Sequence, residues 1–258
     1  MGENKEHEEP KITTIEEGEK QVELILEPHL KSYITGNIMA CEVISVAINI
    51  LPTLNLRDVS SSLKATTSLL IKNVNDLRTM RILAAKGYST QTATIASSLY
   101  ESSYMLAYIA GDEELANQWI EHTDPRNLPT GIKKFTEEAL KKQVDDYEQI
   151  ARQEYHKYHQ LCMAKHSNPL IQKNHGFLIE ESNVIAEFGP EIGEHSIRLS
   201  CFALENSISF VMTGLVAYIN AHLINYDISP LQEKLNQLSS YFNQLQNESY
   251  KKWAQQSE

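Results

Sequence analysis

Apolar residues recur at helical spacing through most of this chain. Leu63, Leu70 and Leu77 mark one stripe, and a second runs from Leu231 to Leu245 with strict heptad spacing. Residues three, four or seven apart lie on the same face of an α-helix. Gly and Pro, which interrupt helices, number only 10 and 8 in 258 residues. The pattern predicts an all-α fold, a multi-helix bundle of about seven helices.

Local signals predict where these helices begin and end. Pro28 is expected to end or kink a first helix that starts after Thr14, because proline lacks the amide proton that an interior helical bond needs. Ser60 or Ser61 can cap a helix that ends before Gly87. The other predicted helices are about Leu30 to Leu51, Thr90 to Ala110, Glu113 to His122 behind an Asp112 cap, one or two between Ile132 and His166, Glu194 to about Asn225, and a last one that begins with Ser229 as its capping residue.

The chain is predicted to form one domain with a short arm. Residues 1–13 are acidic and poor in apolar side chains, which is typical of a flexible arm, and residues 14–258 are expected to form a single helical domain. The stretch from Gly176 to Gly189 is the least helical part of that domain. It is predicted to be a short β-hairpin or an irregular loop.

Two apolar segments approach the length of a membrane span, Ile34 to Leu51 and Ile208 to Ile224. Polar or acidic residues interrupt both, so they are predicted to be buried core helices with no membrane contact. The three cysteines are far apart and odd in number, and the N-terminus has no basic-then-apolar signal pattern. The sequence therefore predicts a cytoplasmic protein.

The charge balance excludes some function classes. A net charge of −11 and the absence of a basic run argue against general nucleic-acid binding. The sequence also contains no Gly-rich phosphate loop, no His-Glu-x-x-His motif and no paired Cys-x-x-Cys motif. No cofactor is predicted.

Three carboxylates, Glu42, Glu101 and Glu205, each stand nearly alone in a helix that is otherwise apolar. A buried carboxylate needs a compensating partner. The simpler interpretation is a structural ion pair or a position on a helix rim, and at least one of the three is expected to pair with an Arg or a His. The alternative is a polar ligand-binding pocket inside the bundle, to which Arg81 would contribute as well.

The segment from Tyr147 to Pro169 carries the most unusual helical face. Arg152, His159, Cys162 and His166 follow one another at spacings of three, four or seven residues on one stripe, which is predicted to form the wall of the polar pocket. Imidazole and thiolate groups at this spacing also suit zinc. Three ligands on one helix are hard to bring to a single tetrahedral ion, so no metal site is assigned.

Arg152, followed after six residues by His159, resembles the Arg-x(4–6)-His motif of HEPN-type ribonucleases. The resemblance implies metal-free RNA cleavage, in which the guanidinium holds a phosphate and the imidazole moves the 2′-hydroxyl proton. His166 would support these two catalytic residues. The all-helical prediction suits that family, whereas the spacing lies at the long limit of the motif.

A wider resemblance covers roughly the middle half of the chain. The segments that carry it are Arg78 to Lys86, Glu101 to Ile109, and Tyr158 to Pro169. Their arrangement resembles bacterial all-helical proteins of unknown function, some of them associated with defence loci. The resemblance implies a helical fold with a polar pocket near the Arg, Glu and His positions.

Two functional hypotheses follow. The first is an intracellular protein with a binding or interaction role and a polar pocket lined by Arg, Glu and His. The second is a metal-free, HEPN-like ribonuclease that uses Arg152 and His159. The heptad stripe of the helix from Leu231 to Trp253 must also pack on another helix, either in the same chain or in a second copy as a homodimer.

Overall fold

The computed structural model describes residues 14–52, 59–124, 127–166, 177–180, 183–186 and 190–254. Most of them are helical, so the predicted all-α class is confirmed. The eight α-helices of these residues are α1 (Ile15–Ile50), α2 (Ser61–Ala85), α3 (Ser89–Ile109), α4 (Glu113–Ile120), α5 (Ile132–Lys141), α6 (Tyr147–Lys165), α7 (Glu194–Tyr218) and α8 (Ser229–Ala254).

Two short strands lie between α6 and α7. Strand β1 (Phe177–Glu180) pairs antiparallel with β2 (Asn183–Ala186), and Phe177 lies opposite Ala186. The rest of the segment from Gly176 to Gly189 lies outside the described residues, as does the predicted arm, residues 1–13.

The predicted boundary between two helices at Pro28 is wrong, because α1 continues through this residue to Ile50. Pro28 cannot donate to the carbonyl of Leu24, four residues earlier. Both residues are exposed, Leu24 at 74%, so solvent can satisfy the carbonyl. An exposed proline therefore costs this helix less than a buried one would.

The ends of α2, α3 and α4 follow the predicted signals. The Ser60 hydroxyl accepts from the Leu63 amide at 3.1 Å, and Asp112 caps α4 in the same way. Gly87 and Gly111 have φ angles of 82° and 76°, a left-handed conformation that favours glycine. These two glycines let the chain turn from α2 into α3 and from α3 into α4.

The region between Ile132 and His166, for which one or two helices were expected, forms two. The chain turns after Leu140, whose carbonyl accepts the amides of both Gln143 and Val144, at 2.8 and 2.9 Å. Helix α6 then begins at Tyr147 and packs on α3 and α5.

The core is built around α7. Its most extensive packing is against α3, where a Cβ on Gly214 would lie 3.0 Å from the carbonyl oxygen of Ser103, so the two backbones approach closely. On the side of α1, the Asn37 amide donates to the Leu204 carbonyl at 2.9 Å and the Ser207 hydroxyl donates to Asn37 at 3.1 Å. Helix α7 ends in a π-helical turn, Ile219–Leu223.

The heptad stripe of α8 packs within the same chain, mainly on α1. Leu231, Leu238 and Leu245 on this stripe are buried. The start of α8 differs from the predicted capping box, because Ser229 already lies in the helix and the Gln232 amide donates to the Ile228 carbonyl at 2.8 Å. The Asp227 carboxylate accepts the Ser229 amide at 3.0 Å. A homodimer through α8 stays a prediction, and its apolar stripe is already covered by α1.

Two described helical segments, Ile15–Ile50 and Glu194–Leu223, are long and apolar enough to span a membrane by length and composition alone. In the second, 61% of the most apolar window is buried in the bundle, which is typical of a core helix. The cytoplasmic location stays a prediction.

Candidate functional site

A groove of about 1010 Å³, open to solvent, lies between α6, α7 and α8. We call it the α6–α7–α8 groove. Its lining residues are Gln160 and Met163 from α6, His195, Arg198, Leu199, Phe202 and Glu205 from α7, and Gln246, Asn247, Ser249 and Tyr250 from α8. Seven of these eleven residues are polar or charged, and Met163, Leu199, Phe202 and Tyr250 supply the apolar and aromatic surface.

Glu205 is the carboxylate in this lining. It lies on the face of α7 that turns toward α8, where the Ser249 hydroxyl donates to its Oε2 at 2.7 Å. Ser249 Oγ also lies 2.6 Å from the hydroxyl of Tyr33 on α1. Since the one hydroxyl proton of Ser249 goes to Glu205, Tyr33 must donate to Ser249. A chain of hydrogen bonds therefore joins α1, α8 and α7 and ends on the carboxylate.

Burial determines the electrostatics of this network. Partial burial raises the pKa of Glu205, and the Ser249 hydrogen bond and the charge of Lys157 offset part of the rise. Burial also raises the pKa of the nearby Cys201 thiol to about 12, so this thiol is protonated at neutral pH. Among the described residues, Glu205 forms no salt bridge.

The other end of the groove carries Arg198 and His195. Arg198 lies seven residues before Glu205 on α7, a rise of about 10 Å along the helix axis, and His195 lies in the first turn of α7. Arg198 already interacts with another group of the chain. Leu199 and Phe202 separate the two ends. The groove therefore has a carboxylate at one end, the Arg198 guanidinium at the other, and an apolar stretch between them.

Of the three solitary carboxylates, only Glu205 lies in the groove. Glu42 is exposed and pairs with Lys234 at 3.1 Å. Glu101 is partly buried and accepts hydrogen bonds from Tyr158 at 2.7 Å and Lys165 at 3.1 Å. The expectation that an Arg or a His would pair with at least one of them is wrong, because the charged partners are lysines. Lysine, with its flexible stem, reaches these helix rims from a neighbouring helix.

Arg81 lies on α2 and does not join these carboxylates. Its Nε atom is buried and has no hydrogen-bond partner, and its charge acts on the Cys41 thiol of α1. Burial raises the pKa of Cys41, and Arg81 and Arg78 offset part of that rise. Glu42 also acts on the Cys41 thiol, so Arg81 and Glu42 lie near the same thiol, whereas Glu101 and Glu205 lie elsewhere.

The predicted catalytic residues Arg152, His159 and His166 are all exposed on α6. The Arg152 Nε donates to the carbonyl of Glu148 at 3.2 Å, and the ring of His159 lies edge-on to that of Tyr155, with centroids 4.5 Å apart. None of the three lines the α6–α7–α8 groove. The face of α6 that forms the groove wall is the neighbouring one, which carries Gln160 and Met163.

The stripe predicted on α6 runs along the border between its buried and exposed faces. Cys162 is buried in the core, whereas His159 and His166 are exposed, so the thiol and the imidazoles do not face one common space. In the described part of the chain, no group of three or more His, Cys, Asp or Glu side chains could hold a metal ion.

Glu154 on α6 is a buried carboxylate that was not predicted from the sequence, and this residue is 7% exposed. It bonds Lys157 at 2.6 Å and accepts from the Tyr104 hydroxyl at 3.1 Å. Its spacing from the buried Ala151 and Tyr158 is the sequence signal that could have placed it on the inner face. Ser249, His195 and Tyr33 were also missed, because only the packing of α1, α7 and α8 brings Ser249 and His195 to the groove and Tyr33 to Ser249.

No protein-family model, no curated protein and no solved structure matches this chain. The chemistry of the groove is therefore the basis on which a function can be proposed.

Proposed function

We propose that this protein binds a small amphipathic molecule in the α6–α7–α8 groove. A volume of about 1010 Å³ suits a ligand of drug-like size. The lining also supports this proposal, since it combines four apolar or aromatic side chains, which can bury a ligand's apolar part, with polar and charged groups that can fix its orientation. The sequence hypothesis also describes a pocket with Arg, Glu and His. The groove contains these three residue types as Arg198, Glu205 and His195, whereas the hypothesis named other Arg and His residues.

The observation that carries the proposal is the position of Glu205. A carboxylate costs free energy where apolar groups displace part of its water, and a structural carboxylate is normally compensated by a cation. The direct hydrogen-bond donor to Glu205 is the Ser249 hydroxyl, and Lys157, whose charge also acts on Glu205, is bound by Glu154, although α8 is already held on α1 by buried leucines. A polar group that the packing does not require is typical of a binding site.

A fluorescent probe tests whether the groove binds ligands. Nile red, which is neutral and amphipathic, is expected to bind the full chain with an increase in emission. Leu199→Asp places a charge in the apolar stretch, and we expect it to weaken dye binding at least tenfold, about 1.4 kcal/mol. Val216→Asp is the matched control, because Val216 lies on the same helix, outside the groove lining, and is 38% exposed.

Circular dichroism and thermal unfolding would establish that both variants are folded before their affinities are compared. Equal loss of dye binding in the two variants, or no binding to the wild type, would refute the proposal.

The ribonuclease hypothesis stays as a second proposal. Solvent exposure of both Arg152 and His159 favours it, because a polynucleotide could reach them. These side chains do not line the α6–α7–α8 groove. The ligand-binding proposal therefore has the stronger geometric support.

A further inference from the structure

Glu205 gives the α6–α7–α8 groove a chemical preference. One of its oxygens accepts from Ser249 at 2.7 Å, and within the described ranges no Lys, Arg or His comes within salt-bridge distance of it. Lys157 is close enough to act on Glu205, but its ammonium group is bound by Glu154 at 2.6 Å. A carboxylate in this setting gains most from a cationic hydrogen-bond donor.

We propose that the ligand of this groove is an amphipathic amine, whose protonated nitrogen bonds Glu205 and whose apolar body lies along Phe202 and Leu199. This inference rests on the proposed function, that the groove is a binding site. The aromatic ring of Phe202, three residues from Glu205 on the same helix, offers the ammonium group a second favourable contact through its π face.

The hydrogen-bond chain behind Glu205 supports a cationic ligand. Tyr33 donates to Ser249 and Ser249 donates to Glu205, so the protons of both hydroxyl groups point toward the carboxylate. Donors arranged in this direction favour the ionised form of Glu205 and leave it as an acceptor. The net charge of −11 also raises the local concentration of cations around the protein.

The Arg198 end of the groove fixes the orientation of the ligand. An ammonium group near Arg198 would meet like charge or compete with the existing interaction of this residue. The nitrogen therefore lies at the Glu205 end. Arg198, about 10 Å away along α7, lies beyond the apolar stretch. The arrangement disfavours an anionic head group at Glu205 and accepts a cationic one.

Three probes with the same tail separate the head-group preference from simple apolar binding. They are n-decylamine, n-decanol and n-decanoate, each titrated below its micellar concentration into the full chain by isothermal titration calorimetry. We expect n-decylamine to bind about 10- to 100-fold more tightly than n-decanol, the factor expected for a charge-assisted hydrogen bond. We expect n-decanoate to bind most weakly.

Two variants test the role of Glu205. Glu205→Gln is expected to weaken n-decylamine binding about 10- to 100-fold and to leave n-decanol binding unchanged. Glu42→Gln is the matched control, because it removes the same charge from an exposed site outside the groove. It is expected to leave both affinities unchanged.

The outcomes distinguish the two proposals. If none of the three probes binds, the proposed function itself fails. If the three bind equally, if n-decanoate binds most tightly, or if Glu42→Gln weakens n-decylamine as much as Glu205→Gln does, the groove is a binding site but the amine preference is refuted. The wild-type order of affinities decides this independently of whether Glu205→Gln folds.

Discussion

The turn at Gly87 permits a prediction of stability whose size follows from the structure. Gly87 has a φ of 82°, and a Cβ at this position would lie 2.9 Å from both the backbone nitrogen and the backbone oxygen of Glu191. The Glu191 amide donates to the Gly87 carbonyl at 3.0 Å, which holds the two segments together. Gly87→Ala must therefore strain the turn and push against backbone that cannot move without loss of this bond.

Gly111 provides a matched comparison. Its φ of 76° is nearly the same, but a Cβ there would meet only the Cβ of Ala221 at 3.5 Å, an ordinary contact. Both substitutions introduce the left-handed strain of about 1–2 kcal/mol, and both reduce the entropy of the unfolded chain to a similar extent. The difference between the two variants therefore isolates the steric clash at Gly87.

Overpacking of this kind costs about 1–3 kcal/mol, so we expect Gly87→Ala to lower the free energy of unfolding by that much more than Gly111→Ala. For a chain of this size the difference in melting temperature is about 2–4 °C per kcal/mol. Urea denaturation followed by circular dichroism, together with thermal melts, would measure it. Equal destabilisation by the two variants, or a larger effect at Gly111, would refute the role of Glu191 in this turn.

Two further predictions concern the candidate sites. Burial raises the pKa of Glu205 above its value of 4.5 in the unfolded chain, so its ionisation costs stability as the pH rises through the folded pKa. Glu205→Gln should therefore unfold at a higher temperature than the wild type at pH 8, and this difference in melting temperature should shrink toward pH 4. A difference that does not change with pH would show that burial does not disfavour the ionised form of Glu205. Under the ribonuclease proposal, we expect the wild type to cleave single-stranded RNA without added metal and His159→Ala to lose this activity. Equal cleavage by the wild type and the variant, or no cleavage by either protein, would exclude this proposal.

Helix ends were predictable where a single side chain determines them. Ser60 and Asp112 accept the amides of their own first turns, and Gly87 and Gly111 adopt the left-handed conformation that ends a helix. These interactions are local, so the sequence suffices. Pro28 shows the limit of such rules, because its effect depends on whether the unpaired carbonyl faces solvent, and that depends on how α1 packs.

The candidate site was predictable only in part. The isolation of Glu205 in an apolar helix identified it as a residue of interest, and the structure places it in the α6–α7–α8 groove. The same pattern at Glu42 and Glu101 marks helix rims where lysines pair with them. Sequence spacing cannot distinguish these cases, since the groove is formed by α8 and α6 beside α7. The prediction placed the pocket wall on the Arg152 and His159 stripe, one face away from Gln160 and Met163.

Stability and binding oppose each other at Glu205. Leu231, Leu238 and Leu245 are buried against the rest of the chain and hold α8 in place without the carboxylate. A neutral side chain at position 205 would avoid the cost of burying a charge, so the fold would be more stable at neutral pH without Glu205. A bound ammonium group offsets the same cost, because it adds the cation that the packing lacks. A ligand that binds only the folded state also raises its stability with increasing concentration. We therefore expect n-decylamine to raise the melting temperature of the wild type and to have a smaller effect on Glu205→Gln, although the variant is the more stable protein without ligand.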